Sequence, residues 1–199
     1  MWALVEDNAI VKIINNPKGM VIGDTRHSRN IFSSRWTNEE REAIGLYEIV
    51  FDNSNKRDES YYTNTNQSFD FADGVATASF GSATARSLAD TLFTAQDEID
   101  GKGTEGEVAA EGLKTLHKNE LDEQCNSLLA PSDWRVTKQE ETGSAMDSGW
   151  KTWRASVRTK CNSMQAQIDG AADVDALAAL YEFTGDPATR PLGEFPVKE

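Results

Sequence analysis

The segment LLAPSDW at residues 128–134, followed after a polar run by WKTWRASVR at residues 150–158, carries the most information in this sequence. The first part predicts the end of an apolar helix face, because Pro131 lacks a backbone N–H and disfavours helix in the residue before it. Ser132 and Asp133 can then hydrogen-bond to free backbone donors nearby. The second part predicts the start of another helix.

That second helix is predicted from apolar residues that recur at intervals of three and four, which places them on one stripe of a helix. The stripe consists of Trp150, Trp153, Val157, Cys161, Met164 and Ile168. Arg154 and Arg158 are four residues apart, so we expect them to be helical neighbours that flank the stripe rather than lie in it.

The two segments together resemble a motif of the tail assembly chaperones and tail-fibre accessory proteins of tailed bacteriophages. Members of this family carry a Leu-Leu-x-x-Ser/Thr-Asp-Trp element, followed by an aromatic-x-x-aromatic-Arg-x-x-aliphatic-Arg helix. The matching positions are Leu128, Leu129, Ser132, Asp133, Trp134, Trp150, Trp153, Arg154, Val157 and Arg158. Trp153 stands where members often have Tyr, and the linker 135–149 is more charged than the Pro-containing linkers of the family. Residues 1–53 more weakly resemble the small β domain that precedes such tails in marine phage proteins.

The resemblance implies a binding protein without a cofactor, whose partners are phage tail or tail-fibre proteins. Two roles are open. The chain could act transiently as a chaperone in the host cytoplasm during assembly, or it could stay in the virion tail as a structural accessory component. The partner-binding residues expected from the motif are Asp133, Trp134, Trp150, Trp153, Arg154 and Arg158.

The tryptophans of the motif also have a structural interpretation. Tryptophan and arginine are enriched among the anchors of protein interfaces, which favours a binding surface. Alternatively, Trp134, Trp150 and Trp153 cover the small core between the last helices. Both interpretations hold if Trp153 lies inside and Trp134 or Trp150 lies at the rim.

Composition excludes several other classes of protein. The net charge of −13, from 33 acidic against 20 basic residues, argues against sequence-independent nucleic-acid binding. It also disfavours binding to an anionic membrane surface. No apolar run approaches the length of a membrane span, and the first residues lack the basic start of a signal peptide, so we expect a cytosolic protein. Cys125 and Cys161, one on each of two predicted helices, are expected to be reduced core thiols.

The sequence predicts an α+β fold whose first part is a small β-rich module at residues 1–53. Trp2 to Ile14 is predicted to form a hairpin that turns at Asp7-Asn8. Thr37 and Glu40 have the spacing of a capping box, which predicts a short helix that runs to Ile44 and ends at Gly45. A strand at 46–51 follows.

The remaining chain is divided into three predicted segments. Residues 54–82 form a polar β segment with partly exposed strands and a hairpin turn at Asp73-Gly74. Residues 83–184 form a helical hairpin or bundle, with heptad-like stripes at 88–99 and 113–128, the helix at 150–168, and a short helix capped by Asp173. Residues 185–199 form an extended or loosely docked tail that contains three of the five prolines. The stripes could also pair with another chain, which leaves a homo-oligomer open.

No catalytic constellation is recognisable in the sequence. His27 and His117 lie in different predicted modules, and Gly101-Lys102-Gly103-Thr104 lacks the earlier glycine and the preceding strand of a phosphate-binding loop. Adjacent acids such as Glu39-Glu40 are typical of solvated faces, and nothing fixes two of them across a cleft. We therefore predict that the protein is not an enzyme.

Overall fold

The computed structural model describes residues 1–198. The chain forms two compact units, Met1–Thr84 and Ala85–Glu199, and the predicted α+β class is confirmed. Within the described residues, no helix is both long and apolar enough to cross a membrane.

The first unit is built on a five-stranded sheet with two short helical segments. The strands are β1 (Trp2–Glu6), β2 (Ala9–Ile14), β3 (Met20–Ile22), β4 (Thr25–His27), β5 (Leu46–Asp52), β6 (Tyr62–Thr63), β7 (Ser68–Ala72), β8 (Val75–Ser79) and β9 (Thr84–Ala85), which lies at the unit boundary. A 3-10 turn (Arg29–Phe32) and helix α1 (Asn38–Glu42) connect β4 to β5. The sheet order is β2-β1-β5-β8-β7, and β3 pairs with β4 separately.

The predicted hairpin at the amino terminus is confirmed. Strands β1 and β2 pair antiparallel, and the turn residues Asp7 and Asn8 have φ angles of 50° and 60°. Both residues therefore adopt the left-handed backbone that a two-residue hairpin turn requires, and Asn and Asp tolerate it better than other non-glycine residues.

Residues 54–82 contribute two strands to the same sheet. Strands β7 and β8 pair antiparallel across the predicted turn at Asp73-Gly74, and β8 pairs parallel with β5. The strands are predicted to be partly exposed, and Phe69 on β7 is indeed exposed. On β8, however, Ala76 and Ala78 are fully buried. Buried alanines allow close approach of neighbouring residues, which polar composition alone does not indicate.

Apolar side chains cover both faces of the sheet. One cluster contains Ala3, Val5, Ile49, Ala76 and Ala78, and the opposite cluster contains Leu4, Ile14, Ile31 and Leu46. The alternation along β1 follows from the two-residue period of a strand. The capping box of Thr37 and Glu40 is confirmed, although α1 ends at Glu42 rather than at Ile44.

The second unit is mainly helical. Its elements are strands β10 (Thr91–Leu92) and β11 (Val108–Ala110), helices α2 (Ala95–Ile99), α3 (Leu113–Leu129), α4 (Asp133–Thr142), α5 (Ser148–Gly170) and α6 (Val174–Ala179), and a 3-10 turn (Ala130–Ser132). Asp173 caps α6, as predicted.

The predicted helical stripe at 88–99 is wrong for its first half. Only α2 is helical, because Thr94 and Asp97 form a capping box that fixes the start of the helix at Ala95. Upstream, Asp90 accepts hydrogen bonds from the backbone N–H of Gly112 and the hydroxyl of Thr115. These bonds hold the chain near β10 in a non-helical path, in which Leu92 is exposed.

Helices α3 and α5 form an antiparallel hairpin, as predicted. Cys161 lies against the backbone carbonyl of Leu121, and the Lys114 ammonium donates to the carbonyl of Asp169. The core between the two helices contains Leu113, Leu121, Cys125, Leu129, Val157, Cys161, Met164 and Ile168. The last four residues of the predicted α5 stripe are therefore buried, whereas its two tryptophans are half-buried.

Pro131 does not end the helical region, and the predicted linker 135–149 is mostly helical. After α3, the 3-10 turn carries Pro131 near its start and leads directly into α4. Proline is compatible with the first turn of a helix because an N–H there has no intrahelical partner. Helix α4 ends at Thr142, and the next residue, Gly143, has a φ of 70°, the left-handed conformation typical of a helix end.

The carboxy-terminal tail is docked rather than extended. Leu192 is fully buried, and its N–H donates to the carbonyl of Leu180 at 3.0 Å. The Lys160 ammonium on α5 donates to the carbonyl of Leu192 at 2.8 Å. Glu199, the last residue of the predicted tail, lies outside the described residues. Of the two predicted alternatives, an extended or a loosely docked tail, the extended one does not describe the chain around Leu192, where the buried side chain, one backbone hydrogen bond and the hydrogen bond from Lys160 hold the tail.

Candidate functional site

Arg154 joins the two halves of the sequence motif from inside the second unit. It lies on α5, is 5% exposed, and donates to the carbonyl of Leu129 at 2.8 Å, to the hydroxyl of Ser132, and to the carboxylate of Asp133 at 2.6 Å. The last carbonyls of a helix lack intrahelical donors, so the end of α3 offers an acceptor to a guanidinium. Arg154 therefore positions the 3-10 turn and the start of α4.

This burial favours a structural role for Arg154, and its predicted contact with a partner stays a prediction. Ser132 is 1% exposed, and its hydroxyl donates to the carbonyl of Leu129 at 2.8 Å while it accepts from Arg154. The carboxylate of Asp133 forms an ion pair with Arg154, but 61% of that side chain is exposed. Water therefore screens the carboxylate end of the ion pair, and Asp133 remains accessible on its outer side.

Trp153 also belongs mainly to the packing of the unit. Its indole N–H donates to the carbonyl of Pro196 at 2.9 Å, which attaches the tail to α5. The rings of Trp150 and Trp153 meet edge to face, with centroids 5.6 Å apart. Asp147 caps α5 by accepting from the N–H groups of Gly149 and Trp150, and this cap fixes Trp150 in the first turn.

Arg135 stacks between the other two tryptophans of the motif. Its guanidinium carbon lies 4.6 Å from the ring centroid of Trp134 and 4.5 Å from that of Trp150. The ammonium of Lys198 lies 5.4 Å from the same Trp150 ring. We call Trp134, Arg135, Trp150 and Lys198 the cation–aromatic cluster. Trp134 is 54% exposed, so the cluster presents an aromatic face to solvent.

Two residues of the cluster, Arg135 and Lys198, are not among the predicted site residues. The predicted residues that lie outside the cluster are Asp133, Trp153, Arg154 and Arg158. Arg135 falls in the predicted linker, but it lies on α4 directly after Trp134. Lys198 lies in the tail and has no sequence signal that relates it to Trp150. Arg158 is exposed on α5 and makes no hydrogen bond or ion pair among the described residues.

The buried thiols lie away from the cluster. Cys125 and Cys161 are free and lie on the facing helices α3 and α5. Burial, with Cys125 and the carboxylate of Asp122 nearby, raises the pKa of Cys161 to about 12. A thiol with this pKa is protonated at neutral pH, which is the opposite of an activated nucleophile. In residues 1–198, no three His, Cys, Asp or Glu side chains are grouped as a metal site.

Comparison with known proteins gives no relative for this chain: no family model, curated protein or solved structure matches it. The relation to phage tail proteins therefore stays a prediction that depends on the motif residues. The structure adds one fact about those residues, namely that Arg154 joins the segment 128–134 to the helix that carries 150–158.

Proposed function

We propose that this chain is a non-enzymatic bacteriophage protein that binds tail or tail-fibre subunits through the cation–aromatic cluster. The observation that carries the proposal is the exposed ring of Trp134, stacked on Arg135 within the motif that resembles the tail assembly family. Tryptophan and arginine supply large contact area and directional hydrogen bonds, which are the usual properties of interface anchors. The buried Arg154 network would hold this surface in place.

Two roles are compatible with such a surface. In the first, the protein shields apolar regions of tail subunits in the host cytoplasm during assembly and then leaves. In the second, it stays in the virion tail as an accessory component. Mass spectrometry of purified particles distinguishes them, because a structural component is present in a fixed ratio to the tail subunits and a transient chaperone is absent.

The binding test is co-expression of the chain with each tail and tail-fibre subunit of its phage, followed by affinity capture. We expect Trp134→Ala to reduce capture of the partner at least tenfold. The matched control is Phe183→Ala in the same unit, since Phe183 is also an exposed aromatic residue with a guanidinium, that of Arg190, over its ring. Equal capture by wild type and Trp134→Ala, or equal loss in both variants, contradicts the proposal.

A further inference from the structure

A second surface of the same unit has the chemistry opposite to that of the cation–aromatic cluster. A groove of about 630 Å³ between α3 and the tail has the half-buried side chains of Leu128 and Phe195 in its lining. Glu120, Glu123 and Glu194 supply its carboxylates. We call these five residues the acidic groove. It combines apolar surface with negative charge, whereas the cluster combines aromatic surface with positive charge.

The acidic groove has carboxylates available to an incoming cation. The side chains of Glu120 and Glu194 are 64% and 63% exposed, although Glu120 lies near His117 and Glu194 pairs with Arg190. Glu123 is exposed and forms no ion pair among the described residues. Of the three carboxylates, Glu123 is therefore the one that can pair with a cation from another molecule without losing a partner in its own chain.

Arg135 is a cation without a carboxylate partner. Its Nε atom is buried and makes no hydrogen bond, and within residues 1–198 its side chain forms no ion pair. It is held instead by the two tryptophan rings. An arginine stacked on aromatic rings keeps its planar fork oriented, so less conformational entropy is lost when a carboxylate binds to it.

The cluster and the groove are neighbours that do not meet within one chain. No residue of the cluster lines the groove. Leu128 and Trp134 are joined by helical backbone, which puts their Cα atoms within about 10 Å of each other at a rise of about 1.5 Å per residue. Phe195 and Lys198 are close in the tail. Two adjacent and complementary patches on one molecule suit a two-fold axis, because each copy then offers its cluster to the groove of the other.

We propose that the occupant of this surface is a second copy of the chain, in a two-fold dimer in which Arg135 of each copy faces Glu123 of the other. The apolar lining of the acidic groove receives the exposed ring of Trp134. The dimer goes beyond the proposed function, since it concerns the purified chain alone. It also gives the cluster a cover when no tail subunit is present.

The test is sedimentation equilibrium of the purified chain over a range of concentrations, with two charge reversals. We expect wild type to dimerise, and Arg135→Glu and Glu123→Lys each to raise the dimer dissociation constant at least tenfold. In either variant both symmetric contacts become like-charge pairs. An equimolar mixture of the two variants restores opposite charges at both contacts, so the mixture forms a heterodimer although neither variant dimerises alone.

The control is Glu182→Lys, which makes the same charge change as Glu123→Lys at an exposed position outside the groove and leaves dimerisation unchanged. Circular dichroism establishes that each variant is folded. A monomeric wild type overturns the inference, and so does a dimer that ignores both reversals or a mixture that stays monomeric. No phage subunit is present in this experiment. A chain that does not dimerise therefore says nothing against the proposed binding of tail subunits, which the capture experiment tests separately.

Discussion

The sequence motif has a buried side and an exposed side, although the residues of both sides come from the same short segments. Arg154, Ser132 and Leu129 lie inside the second unit and are joined by hydrogen bonds. Trp134 lies on the outside and is joined to Arg135 by ring stacking. A motif defined by residue types therefore contains both the interior that shapes a surface and the surface itself.

The difference follows from the geometry of helices. Successive residues of a helix point about 100° apart, so neighbours in sequence can belong to different environments. On α5, Arg154 is buried while the next residue, Ala155, is exposed. Only residues on the outer side are available to a partner, and changes on the two sides are expected to affect different measurements.

The largest effect is expected from Arg154→Ala. This change leaves the carbonyl of Leu129 with one hydrogen bond fewer and removes a buried side chain that packs along α5. We expect the free energy of unfolding to fall by about 3 kcal/mol, since two buried hydrogen bonds from a charged group, each worth about 1.5 kcal/mol or more, and the packing of the side chain are lost. Urea denaturation followed by circular dichroism measures the change.

Arg158→Ala is the matched control for this change. It removes the same side chain from the same helix at an exposed position, so the free energy of unfolding is expected to change by less than about 0.5 kcal/mol. Arg154→Lys is expected to recover little stability, because an ammonium cannot reproduce the guanidinium fork. If Arg154→Ala and Arg158→Ala lowered the free energy of unfolding equally, the distinction between the buried and the exposed side of the motif would be wrong.

A smaller effect is expected from Ser132→Ala. The hydroxyl of Ser132 connects Arg154 to the carbonyl of Leu129, and its loss is expected to cost about 1–2 kcal/mol in the free energy of unfolding. In the Arg154→Ala background the same change is expected to cost much less, because the network is already broken. A double-mutant cycle in urea measures this coupling, and strictly additive costs would show that the two residues act separately.

Trp153→Phe tests the link between α5 and the tail. Phenylalanine keeps an aromatic ring but removes the indole N–H that donates to the carbonyl of Pro196. We expect a loss of about 1 kcal/mol in the free energy of unfolding, as for one hydrogen bond. We also expect faster hydrogen exchange of the tail amides, measured by mass spectrometry. Unchanged exchange there would assign the attachment of the tail to Leu192 alone.

Features set by neighbouring residues could be predicted from the sequence. The turn at Asp7-Asn8, the capping box of Thr37 and Glu40, and the cap of α6 at Asp173 each depend on residues a few positions apart. The hairpin of α3 and α5 could be predicted because its apolar stripes are long enough to show a helical period.

Features that depend on distant residues could not be predicted. The burial of Arg154 requires the carbonyl of Leu129, which only the packing of α5 against α3 brings near. The apolar stripe at 88–99 predicts a helix, but it gives no sign of the hydrogen bonds that Asp90 accepts from residues near the start of α3. Those bonds hold the first half of the segment outside a helix. The sequence does not single out Arg135, because Pro131 predicts the end of a helix and thereby places Arg135 in a linker, whereas α4 continues the helical region.

The smallest effect on stability is expected from Trp134→Ala. More than half of this side chain is exposed, and Arg135 keeps its contact with Trp150 when the ring is removed. We expect the free energy of unfolding to fall by only about 0.5 kcal/mol, the contribution of one exposed cation–π contact. Urea denaturation measures it alongside Arg154→Ala. A loss as large as that of Arg154→Ala would place Trp134 with the interior residues, and the outer side of the motif would then lack the anchor on which partner binding depends.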